Sequence, residues 1–286
     1  MEVMTGMPVV TGTDGSEESL LAVEWAGREA ALHRLPLLVV SALAPRPAAS
    51  GGRSGEDVTK VAHKRLERAL AAAADRAAGI APALKIDIKV VPGPPARALA
   101  ALSAEASMLV IGARGAGGFA AMILGSISRY AATHARCPVV VVREETMAVH
   151  REIVAGIRDL DPPAPASALE FAFAEASLRK ARLAAVHAWY WSVPASRLEA
   201  PDVPPDAAAR LAAVLAGYQA SYPGVEVRQD VVHAHPGRVL AGASARADLV
   251  VLGRHPDPAA EGHGVNSVAH AVLSHAHGPV AVVPGD

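Results

Sequence analysis

The residues with the clearest chemical potential lie in one glycine-rich stretch, Val110–Arg129, which reads VIGARGAGGFAAMILGSISR. An apolar run leads into it, and Gly125 and Ser126 begin the helical pattern that follows. Glycine lets a backbone approach a ligand without an intervening Cβ, and the free amides of a helix N-terminus attract phosphate. The stretch therefore has two explanations: a phosphate-binding loop, or a turn in which glycine serves only the backbone.

Two common nucleotide motifs do not account for this loop. The Walker pattern GxxxxGK[ST] is absent from the sequence. A loose dinucleotide pattern, Gly115-x-Gly117-x-x-Ala120, is present, but it follows the fourth predicted strand instead of the first. No acidic residue occurs in the region where one would bind a ribose, so the dinucleotide reading is disfavoured.

The elements that must position the loop occur twice, because the chain repeats itself. Val90–Gly112 aligns without a gap with Val231–Gly253, and Ala132–Arg143 meets Leu273–Pro284 at the same offset. The first strands of the two copies match more loosely and need a two-residue insertion. The repeat predicts two domains, residues 1–146 and 147–286, joined near Thr146–Arg151 without a Gly/Ser linker.

Within each copy, apolar strands alternate with amphipathic helices. In the first copy, strands are predicted at residues 7–13, 35–43, 84–91, 107–113 and 138–143. Helices are predicted at 16–34, 58–79, 94–106 and 126–136, with Ser16 as an N-cap and a Pro/Gly/Ser loop at 45–57. Such alternation predicts the Rossmann-like α/β class: two tandem copies of a five-stranded, mainly parallel sheet with helices on both faces.

The spacing Gly112-x-x-Gly115-x9-Gly125-Ser126 is more specific than either common motif. It resembles the ATP-binding class of the universal stress protein family, which carries G-x-x-G-x9-G-[S/T] after its fourth strand. The segment TGTDGSEES, with Asp14 at the end of a strand, and the closing CPVVVVR resemble the same family. The likeness extends over both copies and implies a tandem universal stress protein with an adenine nucleotide alpha hydrolase-like fold.

The resemblance also implies a nucleotide site in the first copy. Nine residues would surround ATP: Thr13, Asp14 and Ala42 beside the adenosine, and Gly112, Arg114, Gly115, Gly125, Ser126 and Ile127 beside the phosphates. Arg114 either pairs with phosphate or points to solvent, and the sequence leaves both open. A divalent cation, Mg²⁺, would accompany the nucleotide and be held mainly by phosphate oxygens and water.

The second copy has lost much of this pattern. Its motif positions hold Gly253, Pro256, Asn266 and Ser267. Proline has no amide to donate, and its fixed φ cannot follow a turn of positive φ. Arg158 also stands where Asp14 stands in the first copy. We therefore predict one nucleotide per chain, bound in the first copy, with the second copy mainly structural or partner-binding.

Composition narrows the function further. The net charge is −1, no Lys/Arg run occurs, and only 3% of residues are aromatic, which argues against nucleic acid or an anionic membrane as partner. The N-terminus lacks the basic region of a signal peptide, so a cytoplasmic location is expected.

Neither a catalytic general base nor a metal-binding set of histidines is evident in the sequence. We predict an ATP-binding regulatory protein of the stress response; slow ATP hydrolysis, another nucleotide-dependent reaction and a scaffold without nucleotide are the alternatives.

The apolar final strands bear on assembly. Val139–Val142 and Val280–Val283 are candidate edge strands. The resemblance implies that such strands pair, so the two copies are expected to form a pseudo-twofold pair within one chain. A homodimer and an unknown protein partner stay open. The single cysteine, Cys137, excludes an internal disulfide.

Overall fold

The computed structural model describes residues 6–43, 54–115, 124–143, 149–160, 166–189, 205–255 and 267–285. The chain divides into two compact units, Met1–Glu144 and Glu145–Asp286, called unit 1 and unit 2 below. Each unit is an α/β structure of parallel strands and helices, which confirms the fold class predicted from the alternating pattern.

Unit 1 contains five strands and four α-helices in its described part. Their order is β1 Val9–Gly12, α1 Glu17–His33, β2 Leu37–Leu43, α2 Ser54–Ile80, β3 Ile86–Pro92, α3 Pro95–Leu102, β4 Met108–Gly112, α4 Ser126–His134 and β5 Val139–Val142. The strands pair in the order β3-β2-β1-β4-β5, and every pair is parallel. The chain therefore reverses its direction of winding at β1, between β2 and β4.

Unit 2 repeats this arrangement over its described residues. The order is β6 Glu152–Gly156, α5 Ala166–Arg179, β7 Arg182–Trp189, α6 Ala207–Ser221, β8 Val227–His233, α7 Pro236–Ala243, β9 Leu249–Arg254, α8 Ser267–His275 and β10 Val280–Pro284. Its strands pair in parallel in the order β8-β7-β6-β9-β10. The internal repeat seen in the sequence is thus a repeat of topology.

Burial along the strands follows from their places in the sheet. All five residues of β4 are buried, because helices cover both faces of a central parallel strand. Edge strand β3 instead exposes Asp87, Ile88 and Lys89. Charged side chains on an edge strand oppose pairing with another chain. The apolar core of unit 1 therefore lies around β1, β2, β4 and β5.

Two details test the predicted boundaries. Ser16 caps α1 as predicted, and its hydroxyl accepts the Ser19 amide at 3.3 Å. The predicted loop at 45–57 is wrong at its end, because α2 already begins at Ser54. Serine and acidic residues are common both in loops and in first helical turns, so composition alone misplaced this boundary. None of the helices in the described ranges combines the length and apolarity needed to span a bilayer.

Candidate functional site

A cavity of about 320 Å³ opens at the carboxyl ends of β1, β2 and β4 in unit 1. Open α/β sheets bind their ligands at this edge, where the order of the strands reverses. The walls come from the strand ends, from Pro95 and Leu99 of α3, and from the first turn of α4. The volume lies within the range of small-ligand pockets.

All nine residues singled out by the sequence line this one cavity: Thr13, Asp14, Ala42, Gly112, Arg114, Gly115, Gly125, Ser126 and Ile127. They come from the ends of three strands and the start of one helix. Gly117 and Gly118 of the same loop lie outside the described residues. The structure thus brings the predicted set together, while its contact with a nucleotide stays a prediction.

Several hydrogen bonds hold Thr13 in place directly after β1. Its amide donates to the Val40 carbonyl of β2 at 2.8 Å, and the Ser41 hydroxyl donates to its carbonyl at 2.8 Å. Its hydroxyl shares a hydrogen bond of 3.0 Å with the hydroxyl of Ser19 in α1. Thr13 therefore ties the strand end to a neighbouring strand and to the first turn of α1.

Asp14 is exposed at the cavity, and its carboxylate is oriented by the turn that follows. Oδ1 accepts hydrogen bonds from the Ser16 amide at 3.0 Å and from the Ser16 hydroxyl at 2.6 Å. Gly15 between them has a φ of +83°, which L side chains rarely adopt. This turn presents the carboxylate as a hydrogen-bond acceptor in one preset direction.

Gly115 lies directly against that carboxylate. A Cβ placed on Gly115 would come within 2.6 Å of Asp14 Oδ2. The backbone of Gly115 is not in the left-handed region, so glycine is needed here for room and not for its conformation. The start of the glycine loop and the acidic residue of β1 therefore form one structural unit.

Gly112 has a different reason for lacking a side chain. It is buried at the end of β4, and a Cβ would come within 2.8 Å of the Glu18 carbonyl oxygen in the first turn of α1. That neighbour is backbone and cannot turn aside as a side chain can. Gly112 thus permits the close packing of β4 against α1, a role that the motif alone did not reveal.

The first turn of α4 presents backbone donors to the cavity. Gly125 is the N-cap residue and offers no side chain to the helix, and its own amide already donates to the Ala113 carbonyl at 2.8 Å. The amides of the next three residues, from Ser126 on, have no acceptor within the helix. Such amides, together with the helix dipole, favour an anionic group. Among the described lining residues, the half-buried Arg114 adds the one cationic side chain.

The opposite wall is apolar, and sequence reasoning missed it. Leu66 of α2, Pro95 and Leu99 of α3, and Ile111 of β4 line the cavity together with Val40. These positions are typical of packed helices and strands, so their residue types carry no sign of a site. Only the strand order brings α3 over the ends of β1 and β4. The cavity therefore offers an apolar surface to one part of a ligand and amides to another.

The donor set decides how a magnesium ion would fit. Among the described lining residues, Asp14 contributes the one carboxylate, while helix amides and Arg114 repel a free cation. Mg²⁺ demands six oxygen ligands and keeps water readily. The site therefore suits a magnesium ion that arrives on phosphate oxygens and does not suit a free ion held by protein side chains.

Unit 2 has a smaller cavity, of about 90 Å³, at the equivalent strand ends. Ile157 and Arg158 replace Thr13 and Asp14, and the Arg158 Nε–H donates to Asp159 Oδ2 at 2.9 Å. His255 stands at the position of Arg114, and burial together with the charge of Arg158 lowers its pKa. The predicted losses at Pro256 and Asn266 lie outside the described residues.

Comparison with known proteins gives the family of the chain. The model of the universal stress protein family matches residues 7–143 and 150–284. A universal stress protein of Mycobacterium tuberculosis is 34% identical over 290 residues, which cover 96% of each chain. The crystal structure of one from Archaeoglobus fulgidus is 18% identical and superposes over 99% of both chains with a TM-score of 0.75. One solved in complex with cAMP is 32% identical, covers 48% of this chain and 97% of that chain, and has a TM-score of 0.40. The chain belongs to the universal stress protein family and carries two tandem copies of its domain.

Proposed function

We propose that unit 1 binds ATP and that its occupancy regulates the protein in the stress response. The observation that carries the proposal is the convergence of all nine motif residues on one cavity of about 320 Å³. The glycine spacing is defined along the chain, whereas Thr13 and Asp14 directly follow β1 and Ala42 lies on β2. Their meeting at one site is therefore an observation independent of the spacing.

The apolar and polar walls of the cavity suit different parts of the nucleotide. The adenine ring packs against the apolar side, where Leu99 and Val40 remove its surface from water. Asp14 accepts hydrogen bonds from the nucleoside, since its carboxylate is already oriented by Ser16. The phosphates lie at the first turn of α4, where the amides from Ser126 on donate to them. Magnesium neutralises phosphate charge and is held by phosphate oxygens and water.

The lining favours binding over catalysis. Among the described lining residues, Asp14 is the one acid, and no histidine or lysine is present. Two hydrogen bonds from Ser16 orient that acid, and the described lining offers it no histidine or lysine with which to form an acid–base pair for an attacking water. Unit 1 is therefore a regulatory nucleotide-binding domain, and any ATP hydrolysis by it is slow.

One nucleotide is bound per chain. The cavity of unit 2 is smaller, at about 90 Å³, and it presents Arg158 and Ile157 where unit 1 presents Asp14 and Thr13. A donor guanidinium cannot accept the hydrogen bonds that the Asp14 carboxylate accepts. Unit 2 therefore contributes structure or a separate binding function.

Calorimetry with ATP and Mg²⁺ tests the proposal on protein first freed of co-purified nucleotide. We expect one site per chain, with affinity clearly reduced in Asp14→Ala and less reduced in Ser126→Ala, which removes a lining hydroxyl but keeps the backbone amide. The matched controls are Arg158→Ala and Ser267→Ala, the equivalent positions of unit 2, and both should bind as the wild type does. Two sites per chain, or equal losses in the two units, would contradict it.

A further inference from the structure

The cavity of unit 2 keeps the framework of the nucleotide cavity while its chemistry differs. Gly156 pairs with Val186 across β6 and β7, just as Gly12 pairs with Val40 across β1 and β2. Leu240 of α7 lines the cavity of unit 2 at the position that Leu99 of α3 holds in unit 1. The cavity thus lies at the edge of the sheet where α/β folds bind ligands.

Its size selects a small ligand. An apolar cavity of about 150 Å³ holds a benzene molecule of six carbons, so about 25 Å³ serves each buried atom. By that measure the volume of about 90 Å³ holds three or four non-hydrogen atoms. A propyl chain therefore fits the enclosed part of this cavity.

Its inner wall suits an alkyl group. Ile157, Val186, Leu252 and Val268 line it, and Ala269 takes the place of the buried Ser128 of unit 1. The replacements Thr13 by Ile157 and Ser128 by Ala269 each remove a hydroxyl that unit 1 has at its cavity. A ligand atom placed here meets methyl and methylene groups, which favours carbon over oxygen or nitrogen.

Its rim suits an anion. Arg158 and His255 are the two ionisable side chains among the described lining residues, and the His255 ring lies over Gly253, whose added Cβ would be 2.9 Å from Nε2. The Arg158 side chain is 55% exposed and uses its Nε–H on Asp159, which leaves the terminal N–H groups of its guanidinium as further donors. Both side chains line the same cavity, and burial together with the charge of Arg158 lowers the pKa of His255.

We propose that unit 2 binds a small monocarboxylate, with its short alkyl chain in the cavity and its carboxylate between Arg158 and His255. Unit 1 presents a carboxylate at this corner, and unit 2 presents a guanidinium. The inversion of charge at Asp14 and Arg158 therefore changes the class of ligand, while the scaffold is retained. The second unit is a separate sensor of a small organic acid.

Methyl NMR on the full chain, titrated with butyrate, tests this proposal. We expect saturable shifts in the millimolar range at the methyl groups of Ile157, Leu240 and Val268, with the methyl group of Ile127 in unit 1 unchanged. Arg158→Gln should weaken butyrate by about five- to tenfold, the effect of one charge-assisted hydrogen bond at an exposed rim. Arg246→Gln removes the same charge from an exposed position of unit 2 outside the cavity lining and should change nothing.

The remaining outcomes separate the two parts of the proposal. n-Butanol and butylamine have the same number of carbon atoms as butyrate but a neutral or a cationic head group, and both should bind more weakly than butyrate. Equal binding of n-butanol and butyrate, or equal butyrate affinity in wild type and Arg158→Gln, would overturn the role of the anion. Absence of saturable shifts in unit 2 would overturn the site itself. ATP should not displace butyrate, so the result stands apart from the test of unit 1.

Discussion

Replacing Gly115 by alanine perturbs the proposed ATP site through one identifiable contact. The new Cβ would be 2.6 Å from Asp14 Oδ2, whereas ordinary contacts begin at 3.4 Å, so the oxygen must move by about 0.8 Å. The carboxylate is the far end of a side chain and can turn aside, and the Gly115 backbone accommodates alanine. We therefore expect the free energy of unfolding to change by less than about 1 kcal/mol.

The main effect of Gly115→Ala is therefore expected on the affinity for ATP. A displaced Asp14 loses its hydrogen bond to the nucleoside, and hydrogen bonds to charged groups contribute about 1.5–3 kcal/mol. That range corresponds to ATP binding about ten- to 100-fold weaker, since about 1.4 kcal/mol is tenfold. Calorimetry with ATP and Mg²⁺ measures the loss. Gly242→Ala is the matched control, because nothing lies within 4 Å of its added Cβ in unit 2.

A double-mutant cycle tests whether Gly115→Ala weakens ATP binding through Asp14. If Gly115→Ala acts by displacing Asp14, it should cost little further affinity in a chain that already carries Asp14→Ala. The double variant should then bind ATP about as weakly as Asp14→Ala alone. Additive losses would show that Gly115 acts through another contact, and unchanged affinity in Gly115→Ala would refute the argument at its first step.

Three other predictions concern stability. Gly112→Ala should destabilise unit 1 by about 1–3 kcal/mol in urea, because its Cβ meets the Glu18 backbone, and an unchanged midpoint would contradict this. The pKa of His255 is lowered in the folded protein, so its contribution to stability declines as the pH falls below the ordinary value of about 6.5. In His255→Gln, the free energy of unfolding in urea should therefore depend less on pH between about pH 7.5 and 5.5. Equal pH slopes in the variant and the wild type would refute this prediction. Tyr222→Phe removes the 2.6 Å hydrogen bond to Glu170 and should cost about 1 kcal/mol, and ultraviolet titration should show that burial and the carboxylate raise the pKa of Tyr222 to about 12.

The sequence predicts the architecture well because apolar periodicity reports which face of each element is buried. Each strand of unit 1 overlaps its predicted segment, and Ser16 caps α1 as its position suggested. The apolar wall of the cavity was not predictable in this way. Leu99 lies far along the chain from Val40, and only the order of the strands brings both to one cavity. Residue type marks a polar site, but it does not distinguish a ligand-facing leucine from a core leucine.

Residue type also does not tell whether a glycine serves packing or a ligand. Comparison of the two copies of the repeat can distinguish these roles. Gly12 and Gly156 each lie where an added Cβ would meet a leucine of α3 or α7 at 2.8 Å. That contact occurs in both units and belongs to the fold. Gly112 also has a counterpart, Gly253, although the second copy has lost the other two glycines of the motif. An added Cβ on Gly253 would meet the His255 ring at 2.9 Å and the Ala168 side chain at 3.6 Å, so glycine at this position leaves room for a different neighbour in each unit.

Gly115 has no such counterpart, since Pro256 takes its place and Arg158 takes the place of Asp14. The two residues that touch each other in unit 1 are therefore replaced together in unit 2. A contact needed for folding would persist in both copies of one scaffold, whereas a contact needed for a ligand persists only where that ligand binds. By this criterion we propose the pair of Asp14 and Gly115 as the functional centre of unit 1, and Arg158 with His255 as the basis of the different chemistry proposed for unit 2.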